Sequence, residues 1–252
     1  MLCVYIRHIS PSIHHLSLMG SMSNKSEIRL LGTTASPYVN RVQFALNLKC
    51  IEYEYVQEDL KAGKSELLLT SNPVHKKVPV LLHADKPPIC ESQIIVEYLD
   101  EIRPDLYQLL PSLSLDRANS RFWATYIDTK FFPLYEELRR TTKKAGQDAI
   151  KEEMIDATQL LEEAFIKSSN GKAYFGGDRV GYLDVILGCF LRWIKHVDEL
   201  NDFNTFDEVR VPKLAKWANN IWSHEALESV APWKETLVHF FGLIHVYRPP
   251  YQ

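Results

Sequence analysis

From residue 27 onward, short apolar runs alternate with segments whose apolar positions recur every three or four residues. "EIRLL" reads as a strand, and Pro37 to Lys49 as a helix with Val42, Ala45, Leu46 and Lys49 at helical spacing. "IEYEYVQ" alternates as a half-buried strand does, and Gly63 to Thr70 reads as a short helix. "VPVLLH" follows as an apolar strand and "PPIC" as a short return strand. "SQIIVEYLDEI" then reads as a helix with Ile94, Ile95, Tyr98 and Leu99 facing a core. The order βαβαββα over residues 27–104 predicts a mixed sheet flanked by helices.

The pattern changes after the Pro- and Leu-bearing connector "RPDLYQLLPSLSL", whose residues 105–113 read as a linker. Residues 114–252 are almost wholly helical in pattern, with long segments at Asp116 to Lys144, Gln147 to Lys167 and Tyr182 to Leu200. Gly176-Gly177 punctuates them, and Asp184 is placed to bond the start of its helix from within. The fold class is therefore α/β followed by all-α, in two domains, with no internal repeat. Residues 1–26 lack firm periodicity and predict a disordered extension, with Met22 a candidate start; they are free of acids, as a transit peptide is, but carry only two basic residues.

Composition narrows the picture. A chain of 252 residues with 46% hydrophobic content can pack a sizeable core, and a formal charge of −3 supplies no general attraction to nucleic acid or an anionic membrane. Cys3, Cys50, Cys90 and Cys189 lie far apart with no CxxC, which argues against a disulfide framework or a zinc site and for a cytosolic protein. No apolar run approaches the roughly 18 residues of a membrane span.

Four places carry candidate chemistry. Ser36-Pro37 opens a helix, where Ser caps and Pro suits the first position; a cap alone accounts for the pair. "KAGKSELLL" sets Lys64 near a helix start, "NPVHKKVPVLLH" sets Lys77 and Val78 before Pro79 at a strand start, and "CESQII" opens a helix with Glu91 and Ser92. Singly these are solvated cations and helix-dipole partners. Jointly, with "ICESQIIVEYLDE" and "RFWATYID", they resemble the tau class of plant glutathione transferases over residues 27–235.

That resemblance implies a thioredoxin-like first domain that binds glutathione as co-substrate, no metal, a homodimer, and conjugation of apolar electrophiles in detoxification or stress response, with peroxidase side activity. It implies Ser36 as the catalytic hydroxyl, Lys64 and Lys77 at the glycyl carboxylate, Val78 on the peptide backbone, and Glu91 with Ser92 at the γ-glutamyl end. It further implies a cis Pro79 and an acceptor pocket lined by Tyr38, Phe132, Glu136, Arg139 and Trp193. Thr33 and Thr34 stand where the family commonly has aromatics, which implies a smaller, more polar wall, and Cys50 stands where it has glycine.

The chemistry agrees with these residue types. A thiol of pKa about 8.5 is only roughly 3% ionised at pH 7, and lowering that pKa by about 2 units takes about 2.7 kcal/mol. A hydroxyl donating to a charged acceptor contributes roughly 1.5–3 kcal/mol, and a helix N-terminus roughly 0.3–2. In the role the resemblance implies, Ser36 would act as a donor to sulfur, not as a base or nucleophile. A glutathione-dependent thiol reductase would need a cysteine in its place. A non-catalytic carrier of apolar metabolites stays open at this point, because a binding pocket and an acceptor pocket share their residue types.

Overall fold

The computed structural model describes residues 27–59, 63–232 and 234–246. The extension 1–26, the Met22 start and the last residues of the helical half lie outside them. The first domain has the predicted order: β1 (Ile28–Gly32), α1 (Pro37–Leu48), β2 (Glu54–Gln57), α2 (Glu66–Ser71), β3 (Val80–His83), β4 (Ile89–Cys90) and α3 (Ser92–Ile102). The sheet runs β2-β1-β3-β4, with β1 parallel to β2 and antiparallel to β3, and β3 antiparallel to β4.

One expectation fails in α3. Ile94 is 57% exposed, and the buried face is Ile95, Val96 and Leu99. Apolar spacing identifies a stripe but not its width, and Ile94 sits one residue outside the face that meets α1.

The second domain is helical throughout, but its long segments are broken. Asp116 to Lys144 resolves into α4 (Ser114–Tyr126), a π-helical turn at Ile127–Phe131, and α5 (Phe132–Arg140). Pro133, which has no N–H to donate back into the preceding turn, marks the break. After α6 (Lys144–Ser169), the segment Tyr182 to Leu200 divides into α7 (Tyr182–Gly188) and α8 (Leu191–Asn201). There the Phe190 amide bonds back three residues to the Leu187 carbonyl, tightening the turn. α9 (Pro212–Trp222), α10 (Glu225–Glu228) and α11 (Lys234–Val246) complete the domain.

Asp184 has the structural role its position predicts. Buried, it accepts from the amides of Phe175, Gly176 and Gly181 and from the Trp217 indole, at 2.6–3.0 Å. The two domains share one core, and α1 lies at the seam against α3, α7 and α10. The linker is fastened to α3, because Asp100 accepts from the Leu109 and Leu110 amides.

Candidate active site

The sheet register assembles the site. Gly32 ends β1 opposite Gln57 at the end of β2, Leu31 faces Val80 at the start of β3, and Val80 faces Cys90 at the end of β4. The turn after β1, the approach to α2, the Lys77–Pro79 entry to β3 and the Glu91–Ser92 exit from β4 therefore share one edge. The sequence motifs come together because β1, β2 and β4 end, and the antiparallel β3 begins, at the same edge of the sheet.

Ser36 is the N-cap of α1, with φ −81° and ψ 119°, and its Oγ accepts from the Val39 amide at 3.4 Å. That long contact leaves the half-buried hydroxyl its proton to donate. Thr33 and Thr34 turn their hydroxyls to the Gln57 side chain at 3.4 and 3.1 Å, a small polar wall as their residue types imply. Lys64 precedes Ser65, the N-cap of α2, which is pinned by the buried Glu58 at 2.8 Å. Lys64 and Lys77 are both exposed and pair with no carboxylate among the described residues.

The loop before β3 is organised by buried Asn72, which accepts from the His75 amide and donates to the Lys77 carbonyl. The Val78–Pro79 bond is cis, as the resemblance implies. Glu91 caps α3 without a side-chain bond, at φ +69°, a conformation costly for a residue with a Cβ. Its carboxylate is 57% exposed and lies 3.8 Å from His75 Nε2. Cys90, beside it, has its thiol pushed up by burial and by Glu91, so it is no rival nucleophile.

Ser92 leads to residues that the sequence reasoning missed. Its buried Oγ accepts from Arg41 Nη1 at 2.8 Å. Arg41, fully buried, grips Asp128 through two bonds of 2.6 and 2.8 Å and reaches the Ile186 carbonyl at 3.1 Å. Gln93 also donates to Asp128, at 2.7 Å. Asp128 sits in the π-helical turn, so the helical break delivers the carboxylate that ties α1 and α3 to the second domain. The signals were local: Arg41 shares a face with Ala45 and Lys49, and a lone acid interrupts the apolar run "YIDTKFF".

The acceptor residues do gather, but as a packed wall. Phe132 stacks on Phe190 at 3.8 Å, and the half-buried Tyr38 meets both edge-on at 6.3 and 5.5 Å. Phe132 and Trp193 are 4% and 5% exposed, so Tyr38 is the aromatic face most open to a ligand. Burial and the nearby Asp128 push the Tyr38 hydroxyl up to about 12, keeping it a neutral donor. Glu136, partly exposed, accepts from Arg139 at 2.9 Å and from Arg140 at 3.2 Å. The Trp193 indole donates to the Ala35 carbonyl at 2.9 Å.

A thioredoxin-like sheet with a hydroxyl at the start of its first helix, closed by an all-helical domain, is the two-domain architecture of glutathione-using transferases. Family models agree: the glutathione S-transferase N-terminal domain matches residues 26–101 and the C-terminal domain residues 125–232. Glutathione S-transferase U17 of Arabidopsis thaliana is 45% identical over 216 residues, 85% of this chain and 94% of its own. Glutathione S-transferase U16 of the same plant is 42% identical, covering 89% and 96%. The crystal structure of a tau class glutathione S-transferase from mango, Mangifera indica, superposes with a TM-score of 0.83 at 42% identity, covering 87% of this chain and 99% of that one. That of rice GST1 in complex with glutathione gives 0.79 at 35%, covering 88% and 100%. The chain belongs to the glutathione S-transferase family, in its tau class.

Proposed function

We propose that this transferase holds glutathione along the shared sheet edge and activates its thiol through the Ser36 hydroxyl. Lys64 and Lys77 take the glycyl carboxylate, Val78 the peptide backbone, and Glu91 with the start of α3 at Ser92 the γ-glutamyl ammonium and carboxylate. The observation that carries this reading is the strand register, which brings four segments distant in sequence to one edge. Ser36 donates to sulfur, the thiol proton leaves to solvent, and the thiolate attacks the electrophile. A C–S bond forms as the leaving group departs with its electron pair.

Apolar electrophiles approach Tyr38, backed by Phe132 and Trp193, with Glu136 and Arg139 as the polar rim. The domains divide the work as the sequence boundaries do, 27–104 for glutathione and 114–252 for the acceptor. The free thiols of Cys90 and Cys189 support a cytosolic setting, where conjugation and peroxide reduction serve detoxification. A homodimer is supported by exposed Ile94 on α3 and by Leu115 and Phe122 on α4, neighbouring helices tied by a 2.7 Å Arg121–Glu97 bond. Sedimentation at micromolar concentration giving a monomer would refute it.

The test of the site is Ser36→Ala. Conjugation of an activated aryl halide should fall roughly 10- to 100-fold at neutral pH and recover at high pH, with glutathione affinity little changed. A pH–rate profile overlaying the parent's, in a folded variant, leaves Ser36 as a helix cap alone.

A further inference from the structure

We propose that Trp193 is a positioning residue for Ser36, acting through a single peptide plane; the inference rests on Ser36 being the thiol-activating hydroxyl. The Ala35 carbonyl and the Ser36 amide belong to one planar group. Its amide is held by the Thr33 carbonyl at 3.0 Å, and its carbonyl by the Trp193 indole at 2.9 Å. On the other side of Ser36, its own carbonyl accepts from the Val39 and Asn40 amides at 3.1 and 3.0 Å. Both dihedrals of Ser36 are thus clamped, and rotating the plane before it would swing Cβ and Oγ away from the sulfur. α1 and the turn supply three of those four bonds. The fourth comes from α8, 158 residues along the chain.

Ala35 is 4% exposed and Trp193 5%, so neither end of that bond has water to replace its partner. The rest of the indole faces the acceptor side, with Phe132 edge-on at 6.1 Å and Phe240 of α11 at 5.6 Å. An electrophile that displaces Phe132 or α11 therefore bears on the ring that sets the Ser36 peptide. Trp193 couples acceptor occupancy to thiol activation, a different role from that of a pocket wall.

The experiment titrates bound glutathione by its ultraviolet thiolate absorbance in Ser36→Ala, Trp193→Phe and Phe240→Ala, alongside both KM values. Trp193→Phe keeps a ring but loses the N–H. The thiol pKa should rise by about 0.5–1 unit, leaving roughly 3- to 10-fold less thiolate at neutral pH, with glutathione KM nearly constant. Phe240→Ala loosens the indole without deleting it and should shift the titration the same way by less. A raised electrophile KM with an unmoved titration would make Trp193 a wall residue and overturn the proposal. Should Ser36→Ala shift the titration and Trp193→Phe not, the positioning role falls and the Ser36 assignment stands. Should Ser36→Ala leave it unmoved, the Ser36 assignment itself falls, and the proposal with it. If Trp193→Phe does not fold, Phe240→Ala decides, because residue 240 is only half-buried, and an unmoved titration there refutes the coupling.

Discussion

α1 and its C-cap carry two buried cations, Arg41 and Lys49, and they are held in different ways. Lys49 Nζ has three protons and three acceptors: Asp100 Oδ1 at 2.9 Å, the Arg103 carbonyl at 3.2 Å and the Tyr107 carbonyl at 2.6 Å. Arg41 makes four bonds, and its buried Nε has no acceptor among the described residues. One of its acceptors, the Ser92 hydroxyl, also belongs to the proposed glutathione site. The C-terminal end of the helix is saturated architecture, whereas the N-terminal end keeps a charge in contact with the working surface. The same charge is closed off at one end of the helix and touches the proposed glutathione site at the other.

The largest expected effect tests that division directly. Asp128→Ala and Asp100→Ala each strand a buried cation and should each lower unfolding free energy by about 3–5 kcal/mol in denaturant titrations. Asp128→Ala alone should also raise glutathione KM, through Arg41 and Ser92. Equal KM changes in both variants would erase the contrast.

A buried acid that makes no salt bridge among the described residues sharpens it. Burial pushes the Asp198 carboxyl up to about 7, against the two bonds it accepts from Thr205. A raised pKa means the folded state holds the extra proton, so the stability linked to this group is full below about pH 4 and is lost as pH rises through 7. Unfolding free energy should therefore fall by roughly 2–3 kcal/mol between pH 5 and 7.5 from this group, and Asp198→Asn should flatten that slope.

Smaller effects separate the two ends of α1 again. Near the working surface, Lys77→Ala should weaken glutathione binding by roughly 1.5–3 kcal/mol in calorimetry while leaving the melting temperature in place. Glu91→Gln should weaken it less than Glu91→Ala, since the amide keeps size and a hydrogen bond. At the other end, Cys50 takes φ +49°, a left-handed conformation that glycine adopts without cost. Cys50→Gly should gain roughly 1 kcal/mol of stability with activity unchanged. A loss would mean the exposed Cys50 side chain makes contacts that matter more than its backbone.

Much of this was legible in the sequence because it is periodic or local. The βαβαββα order, the Ser36 cap and the Asp184 helix start follow from spacing and residue type, and the cis Pro79 from the resemblance to the tau class. What escaped is what periodicity does not encode. Ile94 continues an apolar stripe yet faces outward, because a stripe's width depends on its neighbours. The π-helical turn at Ile127–Phe131 lies inside a segment of continuous helical periodicity, marked only by the acid Asp128 and by Pro133 after it. Arg41 and Asp128 are 87 residues apart, and their pairing exists only once the domains meet. The acceptor aromatics were found as types, but their closure into a wall depends on α8 and α5 packing together.

The linker has a thermal consequence. Its Leu109 and Leu110 amides are taken by Asp100 and its Tyr107 carbonyl by Lys49, so both elements of the first domain that it passes hold on to it. Tyr182 at the start of α7 bonds to the Leu109 carbonyl from the opposite side, and its hydroxyl reaches Glu97 on α3. A connector gripped from both domains leaves neither half a boundary at which to melt first. Calorimetry on the whole chain should therefore give one endotherm, with calorimetric and van't Hoff enthalpies in agreement once the denaturing unit, protomer or dimer, is taken into account.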